Sequence, residues 1–223
     1  GVQAIVQAKL WPANLRILDP VEAERGAGLD GATALVIVGF ESADVPQRPH
    51  VDAAVALARD HGGDVDDDEI KVTGGGSPTG RGGSVGAWRD SFVGFDINGL
   101  TGLGLVADTF ESAVTWDRWP DFDDCVRSAV GDALSQVCGG GLLTCRFTHV
   151  YPDGPAPYFT FATRAADGSV ASALAAWREI KLAANAAVVD HGGTITHHHA
   201  VGRDHRSGYE LEVDPLFRRM LAA

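Results

Sequence analysis

The turn-forming triplet Asp153-Gly154-Pro155 lies between two strand-like runs, LLTCRFTHVY at 142–151 and YFTFATR at 158–164. Strand-forming residues on both sides of a tight turn predict an antiparallel hairpin. Any fold for this chain must accommodate that ladder. Two further runs extend it: Asn14 to Asp19 (NLRILD) and Ala34 to Phe40 (ALVIVGF), the second apolar enough to predict a buried strand. Leu100 to Glu111 reads as another strand, and Ile70 to Thr73 as a short one.

Helical periodicity fills the intervals. Residues 2–10 carry a helical repeat that must stop at Trp11-Pro12, because proline disfavours helix at the residue before it. Val21 to Gly28 is short and acidic, a helix or a loop; His50 to His61 repeats apolar residues until Gly62-Gly63. Trp88 to Phe95 and Trp119 to Val137 are predicted helices, the latter ended by Gly139-Gly140-Gly141. Ser169 is the expected N-cap of a long helix to Asp190, with Leu174, Trp177, Ile180, Ala184 and Val188 inward. After Gly192-Gly193 the run Thr194-Ile195-Thr196 predicts a last strand closing the sheet. The expected fold is α+β: a large antiparallel sheet built from two ferredoxin-like halves, 1–73 and 88–223, with helices on one face. The glycine-rich stretch 74–87 joins the halves, either as a linker or as a lid bringing Arg81 to an anion.

The formal charge of −12 argues against nucleic acid, which requires clustered Lys and Arg. No apolar run approaches the roughly 20 residues of a membrane span. Three cysteines (Cys125, Cys138, Cys145) at unrelated spacings predict reduced thiols and a cytoplasmic setting. The richness in Ala, Gly, Asp, Val and Arg is that of a GC-rich bacterial gene. The opening GVQAIVQAKLWPANL reads as the middle of an amphipathic helix, so the chain is expected to be a piece of a longer one.

Chemistry concentrates in TITHHHAVGRD, 194–204. Histidine is the side chain most readily poised to exchange protons near neutral pH. In an extended segment His197 and His199 would point one way and His198 the other. The readings are a proton-handling cluster, inert surface histidines, or a metal shared with Asp204 or His205, for which no HExxH or CxxC spacing exists. Arg118 follows Trp116 and Asp117 and offers a bidentate fork for phosphate or carboxylate. Arg16 and Arg146 stand mid-strand, where each requires an acidic partner or an anionic ligand. Tyr158 opens its strand after a proline, either as core or as part of a site near His149.

FESAVTWDR, LLTCRFTHVYPDGPAPYFTFATR and HGGTITHHHAVGRDHRSGY, with NLRILD near the start, resemble in order and spacing the C-terminal half of alkyldihydroxyacetonephosphate synthases, FAD-linked oxidases of the vanillyl-alcohol-oxidase class. Related flavin dehydrogenases for 2-hydroxy acids carry a single His-Gly-x-Gly where this chain has the triplet. The resemblance implies a cap, or substrate, domain whose FAD is held mainly by an N-terminal FAD-binding domain absent from these residues. The implied reaction exchanges the acyl group of acyl-dihydroxyacetone phosphate for a fatty alcohol, without net redox change. It implies Arg118 as substrate-phosphate ligand, Tyr158 as catalytic acid/base, His197, His198 and His199 as proton-transfer partners, and Arg16 on the flavin side, with no metal. The alternative is the cap of an FAD-dependent 2-hydroxy-acid oxidoreductase. Further expectations are a small phosphorylated, lipid-like substrate, a homodimer, contact of the parent with a membrane surface, and inactivity of the isolated chain. The family continues beyond its last helix, whereas this sequence stops at Ala223, a second expected cut.

Overall fold

The computed structural model describes residues 1–72, 82–94 and 104–223. The chain divides into two compact units, Gly1–Phe95 with Thr144–Gly154, and Asp96–Leu143 with Pro155–Ala223. All ladders whose register is described are antiparallel, and helices alternate with the strands along the chain, so the α+β class stands.

The first unit holds α1 (Val2–Gln7), β1 (Asn14–Leu18), α2 (Pro20–Ala27), β2 (Leu35–Gly39), α3 (Arg48–Asp60), α4 (Gly83–Val93) and most of β4 (Leu142–Val150). β1 is central: it pairs with β2 from Asn14↔Gly39 to Leu18↔Leu35, and with β4 at Ile17↔Phe147 and Leu18↔Arg146. Asp19 governs the exit from β1. Its Oδ1 caps α2 by accepting the Glu22 N–H at 2.8 Å, and its Oδ2 accepts the Cys145 N–H at 2.6 Å. Pro20 then starts the helix, where its missing N–H costs nothing. Leu18, Ala23, Ala27, Ile37 and Trp88 form the core on which α2 and α4 meet.

The second unit holds β3 (Leu105–Glu111), α5 (Trp119–Cys138), β5 (Pro155–Arg164), α6 (Val170–Asp190), α7 (Arg206–Glu212) and α8 (Pro215–Leu221). β3 and β5 pair from Leu105↔Arg164 to Glu111↔Tyr158. Paired residues share a face, so Phe110 and Phe159 point one way and Glu111, Thr109 and Tyr158 the other. α5 offers Phe122, Val126, Val130 and Leu134, a helical stripe, to the phenylalanine face. α6 covers the same face, where the Trp177 Nε1–H donates to Asp108 Oδ2 at 2.7 Å. The Ser169 cap forms as expected, accepting the Ser172 N–H.

Several expectations need correction. β2 is an edge strand: only Ile37 is fully buried, and Val36 is exposed. Ile70 to Val72 form no strand, because Arg59 draws the preceding segment back to α3 through the Val65 carbonyl and Asp67. Leu174 is half exposed; the inner stripe of α6 runs through Ala176, Ile180, Ala184 and Val188. α4 begins at Gly83, inside the stretch read as linker, while 74–81 lies outside the described residues.

Candidate active site

The end of α6 fixes where the histidines go. Gly192 adopts φ 75°, and a Cβ there would collide with the Arg118 guanidinium. A Cβ on Gly193 would stand 2.5 Å from Phe122 Cε2 and from Ser112 Oγ. Only glycine allows so close a passage. The Thr194 N–H donates to the Ala113 carbonyl at 3.1 Å, and the Ala113 N–H donates to Thr194 Oγ1 at 3.0 Å. Segment 192–199 thus runs beside 111–118, with Gly192 against Arg118 at one end and His199 against Glu111 at the other.

Thr194 to Thr196 are not a strand, contrary to expectation. The Ile195 N–H is taken by Glu212 Oε2 of α7 at 2.8 Å, so no neighbouring strand receives it. Beyond it the backbone curls around one carboxylate. Glu111 Oε1 accepts the N–H groups of His197, His198 and His199 at 3.0, 2.9 and 2.8 Å, and the Thr196 hydroxyl at 3.2 Å. The alternation expected for an extended triplet therefore fails, and the rings fan out. Centroids of His197 and His198 are 5.6 Å apart, and those of His198 and His199 4.4 Å.

Glu111 is 1% exposed. Burial alone would raise its pKa, but the N–H groups of His199, His197 and His198, together with the charge of His199, hold it below the ordinary glutamate value. His198 Nδ1 approaches Oε2 at 2.5 Å along a bent path, and His199 Nδ1 stands 3.5 Å from Oε1. Ligand atoms of Glu111, His198 and His199 lie within 4.8 Å of one another, a different trio from the grouping with Asp204 or His205 that the sequence left as one alternative.

Tyr158 joins this cluster. It is paired across the ladder with Glu111, its hydroxyl hydrogen-bonds Thr109 Oγ1 at 3.0 Å, and its ring meets His199 edge-on at 6.1 Å. Four of the expected site residues, Tyr158 and the triplet, are thus brought together. His205, at the start of α7, is held below its ordinary pKa by burial and then by the charge of Lys181.

Arg118 is exposed and lies in a depression with Asp117, Asp121, Asp190 and His191. Among the described residues no hydrogen bond or ion pair joins it to Tyr158 or the histidines. Arg16 belongs to the first unit. Its Nε donates to Asn14 Oδ1 at 3.1 Å and its guanidinium lies 5.5 Å from the Trp88 ring centre. Burial, then the charge of Arg146, pull its pKa down. Arg146 has found its acid: Glu22 Oε1 at 2.9 Å, with both side chains nearly buried. His149, also of the first unit, stacks on Tyr151.

Glu111 and Thr109 are the residues that sequence reasoning missed. A signal existed: a carboxylate, Glu111, ends the strand-like run with Phe110 beside it and no lysine or arginine within six residues.

The chain belongs to the FAD linked oxidases, C-terminal domain, a family that matches residues 1–223. It is 32% identical over 102 residues to alkyldihydroxyacetonephosphate synthase of Caenorhabditis elegans (45% of this chain, 17% of that protein). It is 27% identical over 99 residues to the Trypanosoma brucei brucei enzyme of the same name (44% and 16%). Two solved structures of alkyldihydroxyacetonephosphate synthase share the fold, with TM-scores of 0.65 and 0.63 at 16% identity, covering 94% of this chain and 38% of theirs. The matched stretches thus span under a fifth of these curated relatives. Among the described residues no helix is long and apolar enough to cross a membrane.

Proposed function

We propose that this chain is the substrate-binding cap domain of an FAD-dependent, alkyldihydroxyacetonephosphate synthase-like enzyme, acting on a phosphorylated, lipid-like ketone. The observation that carries the reading is the meeting of Tyr158 with His199 on a triplet anchored by Glu111. Removing a proton beside a carbonyl needs a base poised near neutral pH and a second group to return it. Tyr158 and the histidines supply both from the side of the β3–β5 ladder that α5 and α6 leave uncovered.

Arg16 fits an anionic group such as the cofactor: it is half-buried, and no described acid forms an ion pair with it. FAD, when bound, supplies an electron-accepting ring; an FAD-binding domain of the same polypeptide would hold most of it. Arg118 is assigned to the substrate phosphate. The carboxylates of Asp117, Asp121 and Asp190 around it make a dianion's approach costly, so this residue is the sharpest test of substrate class. The isolated chain is expected to be inactive and flavin-free.

The test records flavin absorption of the whole protein, without oxygen, as acyl-dihydroxyacetone phosphate is added. Perturbation that disappears in Arg118→Ala supports the reading. Full reduction by a D-2-hydroxy acid, with no response to the ketone phosphate, would make the protein an oxidoreductase instead.

A further inference from the structure

Glu111 has two oxygens with different surroundings. Oε1 lies in a nest of three successive N–H groups, which accounts for how the 196–199 backbone curls. A structural anchor would need only that oxygen. Oε2 is also buried, yet among the described residues no donor reaches it in line; what it faces is His198 Nδ1 at 2.5 Å. A carboxylate oxygen at that separation repels a ring-nitrogen lone pair and attracts an N–H, which favours the tautomer with its proton on Nδ1. In the neutral ring Nε2 is then the basic atom, because a hydrogen bond at one ring nitrogen decides the role of the other.

We infer that Glu111 is a positioning residue for the acid–base cluster: it moulds the loop that directs the three rings and selects the His198 tautomer that keeps Nε2 basic. This rests on the proposed function for what the triplet accomplishes, but the tautomer itself is independent of substrate. The same carboxylate reaches Tyr158 indirectly, since His199, anchored on Oε1 through its N–H, is the ring against the tyrosine edge.

Glu111→Gln separates anchoring from tautomer selection. The amide oxygen can still accept the three N–H groups, while the amide NH2, turned toward His198, would force Nδ1 to become the acceptor. Nitrogen-15 histidine spectra of the whole protein should show the Nδ1–H tautomer at His198, assigned with His198→Gln, and the Nε2–H tautomer in Glu111→Gln. With acyl-dihydroxyacetone phosphate, kcat of Glu111→Gln should fall on the order of 100-fold at nearly unchanged KM, the usual consequence of a misdirected group. An Nε2–H tautomer at His198 in the unaltered protein overturns the inference, even if the variant does not fold. So does a variant whose tautomer stays the same. An unaltered protein that ignores the ketone phosphate would sink the proposed function, while the spectra still decide the role of Glu111.

Discussion

Glu22 and Arg146 meet at 2.9 Å with side chains only 11% and 9% exposed. Glu22 also accepts the Trp88 indole N–H and the Thr144 hydroxyl, both at 3.3 Å, so one carboxylate serves α4 and β4 together. Removing it takes from a buried guanidinium the carboxylate at 2.9 Å. Glu22→Ala should therefore destabilise the first unit by about 3 kcal/mol or more. Urea unfolding followed by tryptophan fluorescence would measure this; a change below about 1 kcal/mol would mean that Arg146 does not depend on Glu22.

Gly193→Ala tests the close passage beneath the histidine loop. Its methyl group would overlap the Phe122 ring and Ser112 Oγ, both immobile in the core. A loss of about 1–3 kcal/mol is expected from such overpacking, with a lower Tm by calorimetry. An unchanged Tm would show that the loop can lift away freely.

Tyr158→Phe removes one oxygen, and with it the hydrogen bond to Thr109, at a half-buried position. Stability should change by about 1 kcal/mol at most. Turnover of acyl-dihydroxyacetone phosphate by the whole protein should fall about 10²- to 10⁴-fold if the hydroxyl carries a proton in the reaction. Retained turnover would return Tyr158 to a packing role.

Acid should weaken the protein partly through Glu111. Its folded pKa lies below the ordinary glutamate value, because the N–H groups and the charge of His199 outweigh burial. A depressed carboxylate stabilises above its unfolded pKa of about 4.3. That contribution is lost as pH falls through the lower, folded value. The stability gap between the unaltered protein and Glu111→Gln should thus narrow between roughly pH 5 and pH 2 in denaturant titrations. A gap that is constant or widens on acidification would contradict this.

Much of the fold was legible because its signals are local. The Ser169 cap and the glycine at 139 each act within a turn of chain, and each was read correctly, whereas the helix that Asp19 and Pro20 start was left open between helix and loop. The histidine loop was misread because its conformation is imposed from 86 residues away: β-branched Thr194-Ile195-Thr196 favours a strand until Glu111 collects the N–H groups that follow. The edge position of β2 was equally invisible, since an apolar run does not reveal how many neighbours it will have. Tyr158 and the triplet were singled out by residue type and resemblance; their geometry came only with the register that sets Tyr158 opposite Glu111.

The first unit is interrupted in sequence, and this bears on how the chain is made. β1 meets β4 through Ile17↔Phe147, partners about 130 residues apart. During synthesis β1 therefore leaves the ribosome with one edge unfilled, and β3 and all of α5 must emerge before β4 can occupy it. Closing so large a loop is slow, and an open strand edge meanwhile invites foreign strands. The nascent chain is thus most exposed to aggregation, and most in need of a chaperone, in the interval between completion of β2 and arrival of Phe147.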